Sequence, residues 1–268
     1  MRLLAVLSAV GIACAAASGA AAHPVVEPEI SPARVPESPW KLPVAFTAWG
    51  FESASLVATD LAERLVASGI RSVAIQVDRD GPRASRADAA ILASRGLDVY
   101  LWGIPDDGDH AAALEAFAGI VDGYIAQVED DAQYAALLDN IEAGVGGGLP
   151  RAVVTTFEGI NTTHNGLLRT PERMQPIVAA GITTAFVECY RQDHPSHGDL
   201  ELMLWQAREY GWPEAVPVVG LYRGVRIGDY EGLDARAGSW GFWNVEQIHP
   251  DDWPVLEAKV GKGSTARG

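Results

Sequence analysis

The sequence predicts an α/β protein folded as a single (β/α)8 TIM barrel with parallel strands, and two observations support this. Eight short runs of β-branched and aromatic residues recur along the chain, and an Ala- and Leu-rich helical pattern follows all but one of them. The predicted strand ends are evenly spaced, because Trp49 to Glu246 covers 197 residues over seven intervals, a mean of about 28. This unit length is close to that of a closed barrel, in which roughly 250 residues form eight units.

The elements alternate in type along the whole chain. The predicted strands are residues 44–51, 72–78, 98–104, 123–129, 152–158, 183–190, 216–222 and 239–246. The predicted helices are residues 54–67, 85–94, 110–118, 132–143, 171–180, 200–210 and 251–259. Strands that alternate with helices indicate a parallel sheet. A doubly wound open sheet is the alternative, but Trp49-Gly50-Phe51-Glu52 stands where that fold has a Gly-x-Gly-x-x-Gly turn.

The N-terminal residues have the pattern of an export signal. A positive start at Arg2 precedes an apolar run over 3–17 and an Ala-x-Ala ending at Ala22, so residues 1–22 are predicted to be a cleaved secretory signal peptide. We therefore expect a secreted or periplasmic protein without stable membrane insertion. An uncleaved anchor is the alternative, but the run is shorter than the roughly 20 residues of a spanning helix. Lipidation at Cys14 stays open.

The rest of the chain fits one domain. Residues 23–43 contain six prolines and are predicted to form an extended linker. The barrel is predicted over 44–262, and 263–268 are left as a tail. We expect a monomer.

Composition and motifs exclude several classes of partner. The chain has 35 Asp and Glu residues against 20 Lys and Arg, a formal net charge of −15, whereas nucleic acids and anionic membranes attract basic patches. It has no phosphate-binding Gly-Lys-Ser/Thr loop, Gly-x-Ser-x-Gly elbow or strand starting with His-x-His. The close pair His194 and His197 falls in a polar loop. We predict no nucleic-acid partner, no cofactor and no metal.

The alternation of the strands predicts an acidic site at one end of the barrel. Val73, Ile75 and Val77 share an apolar face, which turns Asp78 inward. The same alternation turns four polar residues inward at other strand ends: Gln127, Glu129, Glu158 and Glu188. It turns Cys189 outward, as an inert part of the core. The four carboxylates therefore converge at the C-terminal mouth, where barrel enzymes place their chemistry.

Crowded carboxylates can divide the roles of acid and base, because repulsion keeps one protonated while a neighbour stays ionised. We predict these catalytic residues: Asp78, Glu129, Glu158 and Glu188. The alternative is that they are solvated strand ends that pair with Arg79, Arg191 and Arg223.

Aromatic residues accompany these acids at the strand ends. The predicted substrate-binding residues are Trp49, Trp102, Gln127, Tyr190, Tyr222 and Trp243. Flat rings beside hydrogen-bonding acids suit a sugar ring, although each ring could instead fill the core. Acids, aromatics and the lack of a cofactor motif together indicate carbohydrate chemistry.

The fourth strand reads Asp122-Gly123-Tyr124-Ile125-Ala126-Gln127-Val128-Glu129. It resembles the D-G-x-D-x-D-x-E strand of family-18, chitinase-like, glycoside hydrolases, and its end resembles the D-x-E strand of family-25, lysozyme-like, barrels. The resemblance implies that Glu129 protonates the glycosidic oxygen. It breaks at Ile125 and at Gln127, where both families have Asp in the latter position.

Two later segments extend the resemblance. Glu188-Cys189-Tyr190 resembles the chitinase-like strand that ends in a catalytic-site Tyr, and Trp243 resembles the Trp that floors the sugar subsite. Gln127 can bind an acetamido oxygen but cannot supply the negative charge that stabilises an oxazolinium-like species. Either another carboxylate takes over, or the barrel binds its ligand without cutting it.

The sequence thus predicts a secreted glycoside hydrolase-like barrel that acts on a polysaccharide or oligosaccharide, with an amino-sugar polymer as one candidate. Glu129 is the general acid/base, Glu158 or Glu188 the nucleophile or water-activating base, and Asp78 a supporting charge. Pairing with Glu158 on the adjacent strand, roughly 5 Å away, predicts retention, and pairing with Glu188 approaches the roughly 6.5–9.5 Å of inverting enzymes. A non-catalytic glycan-binding barrel and a secreted assembly component are the alternatives.

Overall fold

The computed structural model of the chain describes residues 38–46, 54–155, 171–189, 200–221, 225–230, 240–245 and 248–264. Its strands are β1 Val44–Phe46, β2 Ser72–Asp78, β3 Gly81–Pro82, β4 Asp98–Gly103, β5 Val121–Gln127, β6 Arg151–Thr155, β7 Thr184–Glu188, β8 Glu214–Gly220 and β9 Gly241–Trp243. Its helices are α1 Ala54–Ala67, α2 Arg86–Ser94, α3 His110–Ala116, α4 Asp131–Glu142, α5 Pro171–Ala179, α6 Leu200–Glu209 and α7 Asp252–Ser264.

Eight of these strands form a closed parallel barrel. Their order is β1-β9-β8-β7-β6-β5-β4-β2, and pairing between β1 and β2 closes the ring. The (β/α)8 prediction is confirmed. The short strand β3 is an addition that the sequence pattern does not predict: it runs antiparallel to β2, with Val77 opposite Pro82 and Asp78 opposite Gly81. Gly81 has φ +99°, a conformation that favours glycine.

Side-chain caps fix the start of the helices that follow β3, β4 and β5. Ser85 and Asp88 form a capping box at the start of α2, in which the Ser85 hydroxyl accepts from the Asp88 N–H at 3.1 Å. The Asp109 carboxylate accepts from Ala112 N–H at the start of α3. The Asp130 carboxylate accepts from Gln133 N–H, 2.9 Å away, at the start of α4. Each cap therefore sets where the chain turns after a strand.

Alternating side chains divide the core into an inner and an outer layer. The inner layer fills the barrel with Trp40, Val44, Phe46, Ala74, Tyr100, Trp102, Ile125, Ala152, Val154, Phe186, Val216 and Val218. The outer layer lies between strands and helices and includes Ile75, Leu101, Ala126 and Val187. Edge-to-face ring contacts link the inner aromatics. The interior is a packed core rather than a pore.

Residues 38–43, at the end of the predicted linker, close the N-terminal end of this barrel. Trp40 is buried, and its Nε1–H donates to Thr184 Oγ1 at 3.2 Å, at the start of β7. Its ring contacts Tyr100 and Phe186 edge to face, with centroids 4.8 and 5.5 Å away. The Lys41 N–H donates to the Tyr100 hydroxyl at 3.0 Å. Residues 38–43, which we call the strap, therefore fill the N-terminal end of the barrel, opposite the predicted site.

Among the described residues, no helix combines the length and the apolar character needed to cross a membrane.

Candidate functional site

Three of the four predicted acids fall on described residues, at the C-terminal end of their strands. Asp78 is the last residue of β2, Glu188 is the last of β7, and Glu129 follows the end of β5 by two residues. All three are buried, with exposed fractions of 6 to 7%. Glu158 lies outside the described residues, as do the predicted contacts Trp49, Tyr190 and Tyr222.

Neighbouring residues indicate that these acids lie on the inner face. Ala74, Ile125 and Phe186 belong to the inner layer, at even spacing from the acids on β2, β5 and β7. Val77, Val128 and Val187 belong to the outer layer. Because side chains alternate along a strand, Asp78, Glu129 and Glu188 face the barrel axis at its C-terminal end. Cys189 packs in the outer layer, as its flanking residues predict.

Gln127 and Glu129 form a direct pair. The Gln127 amide Nε2–H donates to Glu129 Oε1 at 2.8 Å, and both side chains are buried. The pair joins two inward-facing residues at the C-terminal end of β5. Gln127 places an amide at the position where a D-x-E strand has a second carboxylate. Hydrogen bonding to a buried carboxylate offsets part of the cost of removing it from water. The pair therefore fixes one carboxylate oxygen of Glu129.

The backbone leading to Glu129 is held beyond the last paired residues of the sheet. Val128 N–H donates to Val154 O at 2.9 Å, and the Thr155 hydroxyl donates to Val128 O at 2.7 Å. Glu129 N–H donates to Gln133 Oε1 at 2.6 Å. The sequence prediction missed Thr155 and Gln133. The spacing Asp130-x-x-Gln133 at a helix start is a signal that could have identified the second.

Glu188 lies at the same level of the barrel as Glu129. Gln127, Val154 and Phe186 are in register across β5, β6 and β7, and both acids come two residues after that row. The next residue after Glu188 stays bound to the sheet, because Cys189 N–H donates to Val218 O at 2.8 Å. Two strand spacings, about 10 Å, separate β5 from β7. The two acids therefore lie at the same end of the barrel, on strands that are two spacings apart.

Asp78 is engaged in contacts that hold the turn after β2. Its carboxylate pairs with Arg83, which follows β3, and accepts from Asp80 N–H at 3.0 Å. A side chain at Gly108 would collide with the Asp78 carbonyl, so the segment after β4 packs directly on this turn. The alternative partner Arg79 binds Asp107 instead, at 3.2 Å. These contacts show that the Asp78 carboxylate holds the turn after β2 in place at the mouth of the barrel.

Of the predicted aromatic contacts, Trp102 and Trp243 are described. Trp102 is 3% exposed, whereas Trp243 at the end of β9 is only partly buried. Trp243 is therefore the less buried of the two residues, and Trp102 lies among the barrel aromatics. The next residue, Asn244, is a buried amide at the same end, which the sequence prediction also missed.

His110 holds the segment that follows β4. Its Nε2–H donates to Ile104 O at 2.9 Å, and its Nδ1 accepts from the Tyr124 hydroxyl at 3.1 Å. Burial lowers the pKa of His110 from 6.5 and raises the pKa of Tyr124 from 10.0. The neutral imidazole thus uses both ring nitrogens between β4, β5 and α3.

Comparison with protein-family models and with curated protein sequences finds no match. Solved structures do match. The endo-β-1,4-mannanase from Thermotoga petrophila aligns over 87% of this chain and 79% of its own, with a TM-score of 0.57 and 10% identity. A spore coat polysaccharide biosynthesis protein from Bacillus subtilis aligns over 83% of this chain and 67% of its own, with a TM-score of 0.56 and 11% identity. An L-ribulose 3-epimerase aligns over 85% and 96%, with a TM-score of 0.50 and 15% identity.

The chain shares the TIM-barrel fold with sugar-processing enzymes. At these identities the similarity concerns the fold alone, since one barrel supports many chemistries.

Proposed function

We propose that the protein is a secreted glycoside hydrolase that cleaves a polysaccharide by carboxylate acid/base catalysis. The observation that carries this proposal is the pair of buried carboxylates, Glu129 and Glu188, which follow one row of paired residues on β5, β6 and β7. Glycosidases use two carboxyl groups on either side of the scissile bond. The barrel that the chain shares with a mannanase supports the substrate class, and the predicted signal at 1–22 supports export.

The number of strand spacings between the two acids favours inversion. A backbone separation of about 10 Å brings the carboxyl groups of inward-leaning side chains within the roughly 6.5–9.5 Å of inverting enzymes, which leaves room for water. One carboxylic acid protonates the leaving oxygen, and the other carboxylate removes a proton from the attacking water. Glu129 is the proposed acid and Glu188 the proposed base. Glu158, which the sequence predicts at the end of the intervening strand, remains the proposed nucleophile of a retaining route.

Gln127 is a suitable hydrogen-bond partner for Glu129, because the proposed reaction adds and removes a proton at the Glu129 carboxyl group. A Gln amide donates through nitrogen to a carboxylate, and after a half turn it accepts through oxygen from a carboxylic acid. The side chain can therefore stay bonded to Glu129 before and after proton transfer. It brings no negative charge to a neighbouring acetamido group, so the proposed route uses a second carboxylate instead of substrate assistance.

Trp243 and Asp78 complete the proposed site. The partly exposed ring of Trp243 is a flat apolar surface at the mouth, which suits the face of a pyranose. Asp78 is held by Arg83 at the same end and serves as a supporting charge and as an anchor for the turn beside the site.

The test measures reducing ends released from a panel of mannan, xylan, cellulose, chitin and peptidoglycan by the full-length protein. We expect release from at least one polymer and a loss of at least about 100-fold in Glu129→Gln and in Glu188→Gln. Glu142→Gln, on the exposed end of α4, is the control and should keep full activity. Proton NMR of the fresh product should show the inverted anomer. Full activity in Glu129→Gln would contradict the assignment.

A second candidate function is glycan binding without cleavage, favoured by Gln127 in place of a second acid on the strand. It predicts saturable binding to an insoluble polysaccharide, no reducing ends and loss of binding in Trp243→Ala. The same panel separates the two functions.

A further inference from the structure

The geometry points to Gln133 as a positioning residue that fixes Glu129 for the reaction. This inference rests on the proposed function and names a part of the site outside the predicted catalytic and substrate-binding set.

Glu129 follows Gln127, the last residue of β5, by two positions. Among the described residues, Gln127 is paired with Val154 of β6. An acid two residues further on keeps its inward direction only if the chain stays extended. Val128 N–H still donates to Val154 O, and two side chains add to this bond: the Thr155 hydroxyl donates to Val128 O, and the Gln133 side-chain carbonyl accepts from Glu129 N–H. These three bonds extend β5 to the acid.

Gln133 is itself held in place. It is 8% exposed, and its own N–H donates to the Asp130 carboxylate that caps α4. The helix start therefore fixes the backbone of Gln133, and the Gln133 side chain fixes the backbone of Glu129. Glu129 is thus restrained at its backbone by Gln133 and at its carboxylate by Gln127.

Loss of the Gln133 side chain should lower kcat more than it changes KM. Gln133 acts through Glu129, so its loss should misplace the acid without removing a sugar contact. A displacement of about 1 Å at a catalytic group can cost about 100-fold in rate. We expect Gln133→Met, which keeps the length of the side chain and removes the acceptor, to lower kcat by about 10- to 100-fold with KM within about twofold.

The experiment compares three full-length variants: Gln133→Met, Gln133→Glu and the exposed control Gln175→Met on α5. Amide hydrogen exchange at Glu129 should become at least about tenfold faster in Gln133→Met, while exchange at Ile125 on β5 stays unchanged. Gln133→Glu keeps an acceptor oxygen and should restore slow exchange and most of kcat at its own optimum pH. Gln175→Met should match the wild type in both measurements.

The outcomes are separable. If the wild type cleaves a polysaccharide and Gln133→Met keeps its kcat per folded molecule, with or without a lower Tm, the positioning role is overturned and the proposed function stands. Slow exchange at Glu129 in Gln133→Met would also overturn it. If the wild type releases no reducing ends from any polymer, the proposed function fails and the role in turnover fails with it. A loss of kcat, faster exchange at Glu129 and rescue by Gln133→Glu together support the inference.

Discussion

Trp102 and Trp243 meet edge to face at the C-terminal end of the barrel, with ring centroids 5.3 Å apart and ring planes at 89°. Trp102 in turn contacts Phe46, at 5.8 Å, and Phe46 contacts Phe186, at 5.6 Å. Trp243 is therefore the outermost of a series of contacting aromatic rings that continues along the barrel axis. Such contacts make the mouth-facing ring a rigid surface, because each ring restricts the orientation of the next.

The two tryptophans should respond differently to truncation. Trp102→Ala should lower the free energy of unfolding by about 3–5 kcal/mol, because it leaves a cavity in the packed interior. Trp243→Ala should cost less stability and lose most of the affinity for an insoluble polysaccharide. Urea denaturation and a pull-down assay measure the two effects. Trp205→Ala, on the exposed face of α6, is the control and should change neither. Normal glycan binding by Trp243→Ala would exclude this ring as a sugar platform.

The Asp78–Arg83 pair should stabilise the turn after β2. Because Asp78 is buried and Arg83 is more than one third exposed, we expect a coupling energy of only about 1 kcal/mol in a double-mutant cycle of Asp78→Asn and Arg83→Met. Thermal or urea unfolding of the four proteins gives this energy. If Asp78→Asn instead abolishes cleavage and leaves stability unchanged, Asp78 takes part directly in the chemistry.

The order and type of the elements could be predicted from sequence because each signal is local. Helix α1 has the predicted bounds, 54–67, and strand β2 has the predicted bounds, 72–78. The period-two pattern around Ile125 and Phe186 also gave the inward side of β5 and β7, since one face must be buried on the barrel axis and the other under helices.

The contacts that tune the site could not be predicted in the same way. The Gln133 bond to Glu129 depends on where α4 starts relative to β5. Asp78 pairs with Arg83 instead of Arg79 because of the turn that β3 makes. Trp40 stands in a proline-rich segment, and its place in the barrel depends on non-local contacts with Thr184 and Phe186. Periodicity along the chain carries no information about such pairings.

His110 should make stability dependent on pH below about 6.5. Burial lowers its pKa in the folded protein, so the unfolded chain takes up a proton that the native imidazole does not. The unfolding free energy is then at its full value above pH 6.5 and falls as the pH drops, by at most about 1.4 kcal/mol per pH unit from this group. Urea midpoints from pH 5 to 8 should show a smaller slope for His110→Leu than for the wild type. The exposed His249→Asn is the matched control. Equal slopes in the wild type and His110→Leu would contradict the prediction.

The strap at residues 38–43 should contribute to stability without contributing to turnover. Trp40 fills the N-terminal end of the barrel and binds Thr184 and Tyr100 there, whereas Glu129 and Glu188 lie at the opposite end. We expect Trp40→Ala to lower the unfolding free energy by about 3–5 kcal/mol and to leave kcat of the folded protein within about twofold. Lys41→Ala removes only an ion pair to Asp98 from a side chain that is 64% exposed, so it should cost less than about 1 kcal/mol. Urea unfolding and activity measured at 20 °C on the same samples check both statements. A Trp40→Ala protein as stable as Lys41→Ala would show that the barrel closes without the strap.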